Sequence, residues 1–494
     1  MNRQIRRLGV AMVMLFVILF AAVNYLQVYG ASGLANNSAN PRTIVQSFAI
    51  HRGEILAADG RTVLAKSVDT GRKLRFQRRY PQGPLYAHTT GFFSLKCGIS
   101  RLESTYNDYL DASSNDLLGS TLSDLILNRP KRGASVITTI DPKLQQIAFQ
   151  ELQRAAPNGG AVVATNPSTG AVEAMVTIPQ YDPNELVQPN LRRQAHACTR
   201  LTDAASDPLL SNATDQLYPP GSTFKLVTLS AALENGMTLQ STVPNPSELP
   251  LPQTRLKLHN FGGEHCAGGA PRITLEEALI ESCNVAFGGL GLKLGPQALF
   301  DQATAYGFDR HVPFDIPFSE GHFPAPSEFN DRQPAVAFSA IGQFDVGANP
   351  LAMDLVTSAI ANGGVEMEPH LVREIRGPDG QVLKSFGPSV FGQPISPQTS
   401  RDMTRAMVEV VDSPNGTGSA ARIPGVTVAG KTGTAQTSSG APHAWFTCFA
   451  PAENPQIAVT VVVLNGGNLS SDATGGRVAA PVARAVIEAA LGRR

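Results

Sequence analysis

Neither sign of charge predominates in this chain: 40 lysines and arginines stand against 40 aspartates and glutamates in 494 residues. Without a basic excess there is no general affinity for nucleic acid. The cluster Arg75-Phe-Gln-Arg-Arg79 reads as a solvated face, with contact to an anionic surface as the alternative. Cysteine is scarce and odd in number, so Cys97, Cys198, Cys266, Cys283 and Cys448 cannot all pair within one chain. No C-x-x-C or H-x-x-x-H spacing accompanies them, and His259, His265 and Cys266 by themselves do not make a metal site. No internal repeat is present. Beyond the N-terminal stretch no segment is apolar enough to cross a bilayer, which leaves room for one span only.

That span is well marked. Leu8 to Val23 carries no charge, and continuing through Asn24-Tyr25-Leu26 to Val28 reaches the ~20 residues that a crossing helix needs. Arg3, Arg6 and Arg7 precede it, which keeps the N-terminus in the cytoplasm, while Tyr25 and Tyr29 suit the far interface. A cleaved signal peptide is the competing reading, but the run is long for its apolar core and no small-x-small site precedes the polar boundary. The rest of the chain is then expected outside the cell membrane, where an oxidising setting agrees with the cysteine usage. Cys266 and Cys283 flank one helix-like run and are expected to be joined.

At this length two or three domains are expected. The division expected is residues 1–30 as cytoplasmic tip and anchor, 31–150 as linker and pedestal, and 151–494 as the catalytic domain. Residues 31–42 read as a flexible spacer, and a helix-like segment runs from Ser113 to Asn128. Gly160-Ala-Val-Val-Ala164 and Gly170-Ala-Val-Glu-Ala-Met-Val176, joined by Asn166-Pro-Ser-Thr-Gly170, have the pattern of a hairpin. Val426 to Thr437, Ala444 to Ala450 and Ile457 to Leu464 are further strand candidates. The stretch between Val176 and Val426 reads as mainly helical, so an α+β architecture with an antiparallel sheet flanked by helices is expected.

Three motifs carry chemistry. Ser222-Thr-Phe-Lys225, Ser282-Cys-Asn284 and Lys431-Thr-Gly433 follow one another in that order. They supply a hydroxyl nucleophile with an amine at i+3, a polar pair to pass protons, and a cationic strand, which together make a serine acyl-enzyme. S-x-N recurs at Ser38, Ser113 and Ser413, but only the Ser282 copy closes an apolar helix-like run, Ile273 to Glu281. Pro219-Pro220-Gly221 cannot extend a helix backwards and Phe224 to Leu233 is a good apolar helix, so Ser222 is expected at a helix N-terminus. The alternatives are an ordinary N-cap serine and a solvated lysine. An ordinary lysine titrates near ~10.4, so for Lys225 to accept the serine proton near neutral pH its surroundings must supply about 4 kcal/mol against the ammonium. Burial and repulsion from Lys431 act in that direction, and Lys431 is expected to stay charged.

These motifs, with Arg52-Gly-Glu-Ile-Leu-Ala-Ala-Asp-Gly60, Leu102-Glu103, Thr138-Thr-Ile-Asp141, Gly342-Gln343 and Ala361-Asn-Gly363, make the chain similar to class B penicillin-binding proteins, the short actinobacterial penicillin-binding protein A type in particular. The resemblance covers nearly the whole chain. It implies a transmembrane helix, a small mixed pedestal and a penicillin-binding transpeptidase domain of serine β-lactamase-like fold. It also implies a D,D-transpeptidase that needs no cofactor and no metal. Carried over motif by motif, Ser222 is the nucleophile, Lys225, Ser282, Asn284 and Lys431 complete the catalytic set, and the backbone N–H groups of Ser222 and Thr434 form the oxyanion hole. Thr432, Gly433 and Thr434 would take the substrate as an extra strand. The partners implied are peptidoglycan stem peptides, β-lactams, the cytoplasmic membrane and other cell-wall synthesis or division proteins. A D,D-carboxypeptidase or β-lactamase, which uses water in place of an amine, is the near alternative. A membrane-bound β-lactam sensor is the alternative of another class, and it would need further spans or a cytoplasmic output domain.

Overall fold

The computed structural model describes residues 2–28, 48–71, 75–117, 131–263, 265–330, 332–437 and 440–492. The expected spacer at 31–42 and most of the expected helix at 113–128 lie outside them. The described part of the latter is a single 3-10 turn, Asn115–Leu117. At the N-terminus Asn2–Val28 forms one helix of 27 residues. Its stretch Arg3–Tyr25 has a mean hydropathy of 2.3 and packs against nothing. It is long and apolar enough to cross a membrane.

A five-stranded antiparallel sheet forms the centre of the larger unit, in the order Ala429–Ala435, His443–Ala450, Ile457–Val463, Gly160–Thr165, Val172–Ile178. The expected hairpin and the three later strands are thus present and adjacent. Ile457–Val463 is apolar almost without interruption because it is buried on both faces. Val459, Val461 and Val463 meet the helices Pro142–Ala155 and Ala480–Ala490 on one side. Ala458 and Val462 belong to the core on the other, where Pro350–Ala361 and Lys225–Glu234 pack.

The middle of the chain is mainly helical, as expected, but it also carries short strands. Val372–Arg376 and Val382–Ser385 leave the catalytic stretch to complete a six-stranded sheet with Ser135–Thr138, Ile55–Leu56, Val63–Asp69 and Phe76–Arg79. Ile273 and Thr274 likewise pair as a strand with Thr242–Pro244 instead of opening the helix. The helix starts at Leu275, with Thr274 and Glu277 forming a capping box.

Polar ties hold the smaller unit together and fix it to the larger. Glu103, fully buried, takes ion pairs from both Arg52 and Arg78 and a hydrogen bond from Tyr80. Two guanidiniums hold its carboxyl below the ordinary range although burial alone would raise it. Arg101 pairs with Asp215 across the boundary, Tyr106 donates to Asp315, and a Cys97–Cys198 disulfide joins a pedestal loop to the helix Leu191–Thr202. Sequence reading missed that pairing, because nothing local marks two cysteines 101 residues apart as neighbours.

Removing the shared carboxylate strands two buried cations. Glu103→Ala is expected to cost about 3–5 kcal/mol, seen as an earlier unfolding transition in a thermal melt, and an unchanged melt would show that the triad carries no such weight.

Candidate active site

Ser222 lies in a 3-10 turn, Gly221–Phe224, that runs directly into the helix Lys225–Glu234. It is therefore one turn ahead of the expected α-helical start. Its setting depends on two left-handed glycines, Gly221 at φ +54° and Gly342 at φ +73°. The Gly221 N–H donates to the Gly342 carbonyl at 2.9 Å. A Cβ on Gly342 would stand 2.2 Å from the Gly221 oxygen, so the approach admits no side chain.

The strand Ala429–Ala435 is an edge of the central sheet and lies against this turn. A side chain at Gly433 would meet the Pro220 carbonyl at 2.9 Å and Thr223 and Trp445 at 3.0 Å. Glycine there seats the Ser222 turn on the strand, a duty the sequence reading assigned instead to substrate clearance. Thr432 shares a hydroxyl–hydroxyl bond with Thr417 at 2.7 Å, and Thr434 accepts from the Gly475 N–H at 3.5 Å.

Ser282 sits between the two lysines. Lys431 Nζ donates to Ser282 Oγ at 2.8 Å and to its own strand at Thr432 O, 3.0 Å. Lys225 Nζ donates to Ser282 O at 2.7 Å and Asn284 Oδ1 at 2.8 Å, with Ser282 Oγ at 3.4 Å. A neutral amine has two hydrogens, and the two short contacts use both, leaving its lone pair free to accept a proton. The i, i+3 spacing suggested a direct Ser222–Lys225 bond. Among the described residues no such bond forms, and the lysine is oriented by the second motif.

That second motif is held under strain. Ser282 has φ +59°, a left-handed conformation costly for a residue with a side chain. The Cys283 N–H donates to Ala278 O at 2.9 Å, and Cys283 is joined to Cys266 as expected, with Cα atoms 6.2 Å apart. Asn284 opens the helix Asn284–Ala305 and donates from Nδ2 to His259 O at 3.1 Å. One of the two Nδ2 hydrogens is thus engaged by His259, which leaves the other for a substrate carbonyl.

Both lysines are fully buried. Dehydration, reinforced by Lys431, drives the Lys225 pKa well below the ordinary lysine range. Burial also pushes Lys431 down to about 7. The expectation of a permanently charged Lys431 is corrected accordingly: near neutral pH it is balanced between amine and ammonium.

These groups open on one cleft of about 790 Å³. Ser222, Ser282, Asn284, Thr432 and Thr434 line it, opposite the apolar side chains Phe261, Phe338, Ile341 and Phe344. Glu281 and Thr417 also line it. Sequence reading passed over both, although Glu281 directly precedes the second motif.

Residues 160–488 match the penicillin binding protein transpeptidase domain, and residues 52–136 match the penicillin binding protein A dimerisation domain. The chain belongs to the penicillin-binding protein transpeptidase family. It is 40% identical to peptidoglycan D,D-transpeptidase PbpA of Mycobacterium tuberculosis, with 99% of each chain covered. The PbpA of Mycolicibacterium smegmatis is also 40% identical, again over 99% of both. Among solved structures, penicillin-binding protein A from M. tuberculosis as a ceftriaxone acyl-enzyme complex superposes with a TM-score of 0.85 at 40% identity, covering 90% of this chain and 100% of that one. Its penicillin G acyl-enzyme complex gives 0.83 at the same identity and coverage.

The Lys431 charge is present below pH 7 and lost as the pH rises through about 7. Acylation by a carboxylate-bearing reagent such as penicillin G, followed as a second-order rate constant, is expected to fall on that alkaline limb. Lys431→Arg should flatten the limb while retaining part of the rate, and Lys225→Arg should nearly abolish acylation at every pH, since a guanidinium takes up no proton. Equal residual rates in the two variants would contradict the division of roles.

Proposed function

We infer that this chain is a peptidoglycan D,D-transpeptidase, a serine acyltransferase that cross-links stem peptides and is acylated by β-lactams. The observation that carries the reading is the convergence of Lys225 and Lys431 on Ser282 beside Ser222. It stands in a chain aligned end to end with the mycobacterial transpeptidases. Ser222 attacks the penultimate D-Ala carbonyl while Lys225 takes its proton, a general-base contribution of roughly 10²–10⁴. The N–H groups of Ser222 and Thr434 hold the oxyanion. Ser282, polarised by Lys431, passes a proton to the departing D-Ala amine as the C–N bond breaks, and takes up the proton that Lys225 holds. Lys431 and the hydroxyls of Thr432 and Thr434 receive the terminal carboxylate, whose arrival favours the ammonium of Lys431. An amine of a neighbouring peptide then attacks the ester carbon and gives up a proton to Lys225, the C–O bond to Ser222 breaks, and the serine recovers that proton. Neither a metal nor an organic cofactor enters this sequence of steps.

The apolar helix Arg3–Tyr25 supports a single-pass anchor. With Arg3, Arg6 and Arg7 ahead of it, the N-terminus lies in the cytoplasm and the catalytic unit outside. Residues 31–150 serve as linker and pedestal and 151–494 as the catalytic domain, the latter lending two strands to the former's sheet. Recruitment by other cell-wall synthesis or division proteins fits such a pedestal. Hydrolysis is the second reading, because Glu281 gives the cleft that Ser222 lines a carboxylate.

Penicillin G is expected to add one adduct, mapped to Ser222 and lost in Ser222→Ala. The adduct should persist for many minutes to hours, and a D-amino-acid acceptor should speed turnover of peptide donors. An adduct on another residue, or its release within seconds, would remove the chain from the transpeptidases.

A further inference from the structure

Glu281 is the one acidic side chain among the described residues lining the cleft. It closes the helix Leu275–Ile280 immediately before Ser282 and is half-buried. Oε2 accepts from the Ala267 N–H at 2.8 Å, and no basic side chain pairs with the carboxylate among the described residues. Lys257, also in the cleft wall, is committed to Glu248, while Lys225 and Lys431 are buried and committed to Ser282. The carboxylate lies within 4.8 Å of the sulfurs of Cys266 and Cys283. Those sulfurs are joined to each other, so they offer no thiolate and the trio is not a metal site. What remains is a carboxylate on the cleft wall, with two buried lysines behind the Ser282 that lines the same cleft.

That polarity matches a ligand with an anion at one end and a cation along its length. Resting on the transpeptidase reading, we propose that Glu281 docks a primary ammonium of a peptidoglycan stem peptide. The ammonium belongs either to the donor's own diamino residue or to the acceptor awaiting the acyl group. Glu281 is a specificity residue in this scheme, and it takes part in no bond-making step.

Glu281→Gln is the discriminating variant, because its carboxamide oxygen still accepts from Ala267 and only the charge is lost. One arm compares release of D-Ala from a stem pentapeptide whose side-chain amine is free with release from the same peptide N-acetylated. The other measures how the acyl-enzyme partitions between water and an amine-bearing stem tetrapeptide. Ratios within one variant cancel any loss of folded protein. A donor site predicts that the wild-type preference for the free amine, about fivefold in kcat/KM, disappears in Glu281→Gln while the partition is unchanged. An acceptor site predicts the converse, with the amine-to-water ratio falling about fivefold. Unchanged ratios in both arms, or a fall in the rate of hydrolysis itself, would overturn the proposal. Failure of penicillin G to label Ser222 in the wild-type enzyme would instead overturn the transpeptidase reading.

Discussion

Two buried lysines share one serine oxygen at the edge of the cleft, and much of the catalytic unit follows from that arrangement. Both amines reach Ser282 Oγ, at 2.8 and 3.4 Å, so they are at most about 6 Å apart. At an effective dielectric of about 20 two charges that close would repel by roughly 3 kcal/mol or more. They cannot both be ammonium, and burial disfavours even one. The outcome is a Lys225 whose pKa lies well below the ordinary lysine range and which donates to Ser282 O and Asn284 Oδ1, and a Lys431 that a substrate carboxylate can tip into the charged state.

Holding such a pair requires rigidity on three sides. Gly342, Gly221 and Gly433 let the Ser222 turn press against its neighbours to distances that any side chain would prevent. The left-handed turn at Ser282 is over-determined by the Cys266–Cys283 bridge, by backbone bonds to the preceding helix, and by the helix that begins at Asn284. The central sheet, covered on both faces, supplies the strand that carries Lys431. Farther away, Glu103 between two arginines holds the pedestal itself together, and Arg101 on Asp215 ties it to the same body.

Local chemistry made much of this legible in the sequence. The nearly uninterrupted apolar character of Ile457–Val463 announces a strand buried on two faces, the Asn166 turn announces the neighbouring hairpin, and the uncharged run from Leu8 announces a spanning helix. The order and spacing of the three motifs single out Ser222, Lys225, Ser282, Asn284 and Lys431, since each depends on residue type and a few neighbours. Tertiary structure decided the rest. That Lys225 is aimed by Ser282 and Asn284, that Lys431 is dry enough to fall to about 7, and that Gly433 faces Pro220 all depend on segments brought together from far along the chain. The same holds for the Cys97–Cys198 bridge, the loan of Val372–Ser385 to the pedestal sheet, and the opening of Glu281 onto the cleft. The physical reason is common to all of them: protonation, strain and access are set by what lies within a few ångströms in space, and propensity and pattern report only what lies within a few residues along the chain.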